Sequence, residues 1–295
     1  MTGKLLVTGA SGQLGALVIQ HLLDTRKVPA SSLVAGSRNV AKLSGLADRG
    51  VETRRIDFDD AGSLQEGLKG VDRVLIVSTD ALDAEGTRLR QHLAAVSAAK
   101  EAGVSRVFYT SMPNPAESEV TFAPDHLKTE EAIKASGLAY SIFRNGWYME
   151  NLFMALPQAL ASGQWYSAAG EGKLAHISRD DIAQAIAAGL ASPPAENVTY
   201  TLTGDTARST AEIAALVSAG TGKPLAVVDV NDEQLAQGMA AAGVPAPYIP
   251  TLVSFDANTR EGKIAMVTED AATLSGNTLT SLKDFIEANK AALLG

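Results

Sequence analysis

Three glycines at three-residue spacing, Gly9, Gly12 and Gly15, follow directly on the apolar stretch Lys4-Leu5-Leu6-Val7 and lead into an amphipathic run from Ala16 to Leu23. Each has a separate physical task. Gly9 makes a turn that a side chain would obstruct, Gly12 lets the backbone approach a pyrophosphate, and Gly15 lets the helix pack close to the strand. The free N–H groups at that helix start, with Ser11, Gln13 and Leu14 in the same turn, would meet a phosphate, and the helix dipole favours negative charge there. Strand, glycines and helix together read as a dinucleotide-binding turn. At the end of the second strand an acidic residue would bond the ribose 2′-hydroxyl of NAD, whereas arginine accommodates the 2′-phosphate of NADP. Here that strand ends Ser37-Arg38-Asn39, with no carboxylate nearby and Lys42 one helical turn on. A planar guanidinium matches a phosphate bidentately, so Arg38 and Lys42 favour NADPH, although both would also suit a solvated helix start. Asp57-Phe58 fits an adenine-edge contact, or for Asp57 a helix cap. Ser78 and Thr79 end the fourth strand beside the ribose and pyrophosphate, and Ser111 ends the fifth at the same cofactor edge.

These residues need elements to hold them, and the first half supplies a regular alternation. After the opening strand and helix, strands are predicted at 32–38, 51–57, 71–78, 104–111 and 138–144, with helices at 40–48, 61–69, 88–102 and 126–136 between them. Val74-Leu75-Ile76-Val77 is a continuous apolar run suited to a strand buried on both faces. Such alternation implies an α/β fold, a doubly wound parallel sheet of Rossmann type with right-handed crossovers and helices on both faces. Ligands bind such sheets outside the carboxyl ends of the strands, at the switch point. The second half is less regular. It reads as a loop at 165–173, a helix capped by Ser178 and running to Ala191, and a strand at 198–203. Helices at 210–219, 232–242 and 279–292, a short strand at 225–229 and a rigid connector from Gly243 to Pro250 complete it. Residues 1–150 are expected to form the dinucleotide-binding domain, with strands returned from about 174–204, and 151–295 a smaller, mostly helical substrate or lid domain.

The spacing G-x-x-G-x-x-G resembles that of the extended and atypical short-chain dehydrogenases. Enzymes of that superfamily usually protonate the substrate with a tyrosine assisted by a lysine four residues later. The matching helix here begins Phe122-Ala123-Pro124-Asp125-His126-Leu127-Lys128-Thr129-Glu130. The resemblance puts His126, four residues before Glu130, at the lysine position and Phe122 at the tyrosine position. Phe122 cannot donate a proton. An imidazole at 126 could bond the nicotinamide ribose or donate a proton, or be only a helix-start histidine in contact with solvent. The glycine turn Thr8 to Gly15, the segment Arg144-Asn145-Gly146-Trp147-Tyr148-Met149-Glu150-Asn151 and the stretch Ala168 to Lys173 resemble the NmrA-like branch of the atypical enzymes. Within it, they resemble the bacterial NAD(P)H:quinone oxidoreductase type 2 and triphenylmethane-dye reductase group. The resemblance spans nearly the whole chain. It implies NADPH bound without a flavin, a hydride passed directly to an acceptor, and Asn145, Gly146 and Trp147 lining the nicotinamide end. Regulators in the same family bind dinucleotide and a protein partner without catalysis, and loss of the dyad fits them too. They usually depart from the glycine motif or extend the C-terminus, whereas this chain keeps all three glycines and the Asn-Gly-Trp-Tyr segment.

The missing dyad narrows the acceptor. Reducing a simple ketone creates an alkoxide, a strong base that needs a positioned acid. Hydride addition to a quinone gives an anion spread over a ring, which water, Tyr148 or His126 could protonate. Quinones, azo compounds and cationic dyes are the expected acceptors, and the main catalytic task is orientation. Trp147, Tyr148, Phe153 and Met154 could floor the site, although Phe153 and Met154 read better as core of the following helix.

Composition sets the outer bounds. Apolar residues make up 46% of the 295 and aromatics 5%. No apolar run approaches the roughly 18 residues of a membrane span, and no signal-peptide pattern precedes the first strand. The absence of cysteine removes disulfides, thiolate metal sites and cysteine nucleophiles. A net charge of −8 argues against general nucleic-acid binding. His21, His92, His126 and His176 lack metal-ligand spacing. A cytoplasmic enzyme is expected, with a small conjugated acceptor and no flavin, metal, nucleic-acid or membrane partner; a homodimer is left open.

Overall fold

A computed structural model describes residues 3–82, 84 and 86–295; Met1 and Thr2, part of the sequence reading ahead of the first strand, lie outside the described residues. In chain order the strands are β1 (Lys4–Val7), β2 (Leu33–Ser37), β3 (Glu52–Arg55), β4 (Val71–Ile76), β5 (Arg106–Ser111), β6 (Ala139–Asn145), β7 (Gln164–Ser167), β8 (Lys173–Leu174), β9 (Val198–Leu202), β10 (Arg208–Ser209) and β11 (Ala226–Asp229). The helices are α1 (Gln13–Asp24), α2 (Ser44–Asp48), α3 (Ala61–Gly67), α4 (Thr87–Glu101), α5 (Ala123–Ala135), α6 (Leu156–Ser162), α7 (Arg179–Ala191), α8 (Thr210–Thr221), α9 (Asp232–Ala241), α10 (Ile249–Arg260), α11 (Asp270–Ser275), α12 (Leu282–Ala288) and α13 (Lys290–Leu294).

Seven strands form one parallel sheet in the order β3-β2-β1-β4-β5-β6-β9. The order reverses between β1 and β4, which opens a crevice at their carboxyl ends. Alternation along each strand feeds two cores. Leu5, Val7, Phe108 and Phe143 face a layer that includes α1 and α7, while Leu6, Val34, Val74 and Ile142 face one built from α3, α4 and α5. β9 comes from the second half of the chain, and Asp270 of α11 accepts the Thr201 N–H on it at 2.7 Å. A third apolar cluster, from Met149, Leu152 and Leu156 to Ile213, Phe285 and Leu293, holds the C-terminal elements together.

Several elements differ from expectation. The predicted loop at 165–173 overlaps β7, which pairs with β11 in a two-stranded parallel ribbon. Asn289 separates α12 from α13, so the helix expected at 279–292 is two. The Pro245–Pro250 connector leads into α10, with Pro250 in its first turn, where a missing N–H costs nothing. Residues 40–48 begin as a 3-10 turn, Val40–Leu43, before α2. No helix among the described residues is long and apolar enough to cross a membrane.

Candidate active site

The glycine turn is held by its own backbone. Gly9 takes φ +62°, a conformation that side chains disfavour. Gly12 N–H donates to Gly9 O at 2.9 Å. A Cβ on Gly15 would fall 2.4 Å from Gly9 O, so the third glycine is required by the turn itself; one on Gly12 would lie 3.2 Å from the same oxygen. Gly12 starts α1 and no side chain caps it, whereas Ser178, Ser209, Asn231 and Ser281 cap α7, α8, α9 and α12. The first-turn N–H groups of α1, including those of Gln13 and Leu14, are thus left at the switch point for an anion. Ser11 Oγ meets Ser37 Oγ at 2.8 Å, tying the turn to the end of β2.

Arg38 and Lys42 are both exposed, and neither side chain has a hydrogen-bond or ion-pair partner among the described residues. The sequence suggested no carboxylate near them, but the fold brings Asp59 from beyond β3 close enough for Arg38 to lower its pKa. Asp59 is already engaged, by Arg90 at 2.6 Å and Gln91 at 2.7 Å, and these bonds hold its carboxyl below the usual range more strongly than Arg38 does. Asp57 does not cap α3. Asp60 does, accepting from Ser63 N at 3.0 Å, while Asp57 pairs with Arg55 at 2.9 Å. Phe58 is half-buried against the second core.

At the end of β4, Ser78 N donates to Thr110 Oγ1 and Thr79 N to His92 Nε2, at 2.8 and 3.0 Å. Ser111 faces inward instead of toward the cleft. Its hydroxyl donates to Glu130 at 2.7 Å, and Glu130 is fully buried under a bidentate bond from Arg144 at 2.9 and 2.7 Å. Burial raises the Glu130 pKa, but Arg144 and Ser111 outweigh it, and the carboxyl stays below its ordinary value.

His126 is 3% exposed. Its Nε2 lies 2.7 Å from Arg88 Nη2 and its Nδ1 2.8 Å from the Tyr109 hydroxyl. A guanidinium can only donate, so Nε2 accepts and Nδ1 carries the proton. Burial, with Arg88 beside it, holds the pKa well below the histidine range. Both nitrogens are occupied inside the protein, so the expectation that His126 bonds the ribose or relays a proton does not fit this geometry. Arg88 also donates to Thr79 O, and its guanidinium lies 4.9 Å from the Phe122 ring centroid. The sequence reading missed Arg88 and Tyr109, because they reach His126 from α4 and β5.

Gly146 packs against β9: its N–H donates to Leu202 O at 2.7 Å, where a Cβ would collide. Asn145 Nδ2 reaches the Tyr148 hydroxyl at 3.4 Å, and burial raises the phenol pKa. Arg179 lies over the Tyr148 ring at 4.7 Å. Trp147 meets Phe255 of α10 edge-on at 4.3 Å, and Phe255 in turn meets Phe122 at 6.1 Å. Trp147 and Phe255 line a cavity of about 650 Å³ between the end of β6 and the C-terminal elements. Phe153 packs against Phe285, but Met154, expected in the core, is 65% exposed beside the cavity. No cluster of metal-ligating side chains occurs among the described residues.

Residues 1–282 match the NmrA-like family. The chain is 34% identical to quinone oxidoreductase 2 of Escherichia coli (strain K12), over 95% of this chain and 96% of that protein. It is 31% identical to an NAD(P)H azoreductase of Xenophilus azovorans, over 98% of each. Its fold matches the crystal structure of Citrobacter sp. triphenylmethane reductase complexed with NADP(H), with a TM-score of 0.90 at 35% identity, covering 97% of this chain and 100% of that one. The chain belongs to the NmrA-like family, among its oxidoreductases.

Proposed function

We propose that the chain is an NADPH-dependent reductase that transfers a hydride directly, without a flavin, to a conjugated acceptor such as a quinone, an azo compound or a cationic dye. When bound, NADPH supplies that hydride from its nicotinamide ring. The uncapped start of α1 and the glycine turn suit a pyrophosphate, and Arg38 with Lys42 suits a 2′-phosphate. Asn145 and Trp147 then hold the nicotinamide end beside the cavity, and the Trp147–Phe255–Phe122 aromatics keep water away from it. The observation that carries the reading is the lack of a positioned acid. Phenylalanine stands where a tyrosine would, and His126 is sealed from the cleft with both nitrogens engaged. Tyr148 remains as a weak, neutral donor with its phenol pKa raised by burial. Such a site suits acceptors whose reduced form spreads its charge and needs little acid. The names of the relatives point the same way, since they act on quinones, azo compounds and triphenylmethane dyes. The test is loss of NADPH absorbance in the presence of a quinone or of an unconjugated ketone, without added flavin. Rapid oxidation with the quinone alone is expected; comparable turnover of the ketone would refute the reading.

A further inference from the structure

His176 is a buried imidazole with nothing to bond. It is 7% exposed, its Nδ1 is fully enclosed, and neither ring nitrogen has a hydrogen-bond partner among the described residues. The other buried imidazoles differ: His92 is bonded through Nε2 to Thr79 N–H and through Nδ1 to Thr129, and His126 through both nitrogens to Arg88 and Tyr109. Where an imidazole serves the fold here, its polar atoms are satisfied, as buried groups generally are. The backbone that carries His176 is firmly placed. Ile177 N donates to Trp147 O at 3.0 Å and Met149 N to Ile177 O at 2.9 Å. His176 is one of the residues that line the cavity, together with Trp147, Leu152, Trp165, Leu235 and Phe255.

We infer that His176 is the residue that receives a carbonyl oxygen of the acceptor, and that the cavity takes planar acceptors of two or more fused rings in preference to a single ring. The inference rests on the conjugated-acceptor reading and adds to it a polar anchor and a size. Burial, with Arg208 nearby, holds the His176 pKa down to about 3, so the ring is neutral and has one N–H to give. As hydride reaches the acceptor, the carbonyl electron pair comes to rest on the oxygen that His176 holds. Solvent then supplies the proton, and the oxidised dinucleotide is the other product. Pockets of some hundreds of Å³ take drug-sized ligands. A single ring would leave most of the apolar wall uncovered, whereas fused rings cover it.

The chain's two tryptophans, Trp147 and Trp165, both line the cavity, so quenching of their emission reports occupancy directly. The probe is 1-tetralone, a fused-ring ketone that the site is not expected to reduce. It is titrated into wild type, into His176→Leu and His176→Phe, which lack the donor, and into His176→Gln, which keeps one. Using both donor-free variants guards against one failing to fold. Loss of the donor is expected to weaken 1-tetralone about tenfold or more and to lower kcat/KM for 1,4-naphthoquinone similarly. Glutamine should recover most of the affinity, while NADPH affinity should change by no more than about twofold because the glycine turn, Arg38 and Lys42 do not line this cavity. Wild type should prefer 1,4-naphthoquinone to 1,4-benzoquinone by about tenfold or more. Unchanged 1-tetralone affinity in a folded donor-free variant, or equal kcat/KM for the two quinones, would overturn the inference. If no quinone is reduced but 1-tetralone binding still depends on residue 176, the conjugated-acceptor reading fails while His176 stands as the anchor.

Discussion

Arg38 carries its charge at the end of β2 with no hydrogen-bonding partner among the described residues, and the carboxylate that feels it, Asp59, is already held by Arg90 and Gln91. A phosphate on the adenosine ribose would find this guanidinium uncommitted. Losing a charge-assisted contact costs about 1.5–3 kcal/mol. Arg38→Ala is therefore expected to raise the Michaelis constant for NADPH by roughly tenfold or more and to leave that for NADH nearly unchanged; steady-state kinetics with both cofactors decide, and an equal rise in both would sink the assignment. The glycines were legible because their requirement is local: the Gly9 turn and the Gly15 contact involve backbone only a few residues away. His126 was not, because its partners Arg88 and Tyr109 lie 38 and 17 residues distant in the chain. The packing role of Gly146 was hidden for the same reason, since its neighbour is Leu202 on β9.

α10 was invisible as an element because Ile249-Pro250-Thr251-Leu252-Val253 is rich in β-branched residues and opens on a proline cluster, which reads as a connector. Its helix is secured from outside. Asn258, 2% exposed, accepts from Ser118 Oγ at 2.9 Å and Glu119 N at 3.0 Å, and Thr251 meets Thr121 at 2.8 Å. These bonds fix α10 across the segment before α5 and hold Phe255 between Trp147 and Phe122. Asn258→Ala would strand a backbone N–H and a hydroxyl, a loss of about 1–3 kcal/mol. The expected outcome is a lower melting temperature and a raised Michaelis constant for the quinone, with NADPH affinity unaltered. A variant that melts with wild type would show that α10 does not depend on this tether.

Across the whole molecule, buried histidines make stability sensitive to acid. Burial lowers His92 and His176 to about 3 and moves His126 in the same direction. Unfolded histidine titrates near 6.5, so below that pH the unfolded chain binds protons that the folded one refuses. Stability is complete above about pH 6.5 and declines toward about pH 3, by about 1.4 kcal/mol per pH unit for each such histidine. Melting temperatures measured from neutral to mildly acidic pH should fall steeply, and His92→Gln should flatten the slope; a level profile would contradict the burial. The alternation of strands and helices announced the doubly wound sheet, and the strand expected at 198–203 is β9, but its place beside β6 was not legible, because parallel pairing leaves no local mark. That last strand has a consequence for synthesis. β9 and α7, which covers the same face as α1, emerge from the ribosome only after residue 179. Until then the nascent chain carries β6 as an open edge and leaves uncovered the part of α1 that α7 packs against. Residues 1–150 therefore cannot complete their sheet ahead of β9, and a nascent chain stalled near residue 150 would present a sticky, unfinished sheet to its surroundings.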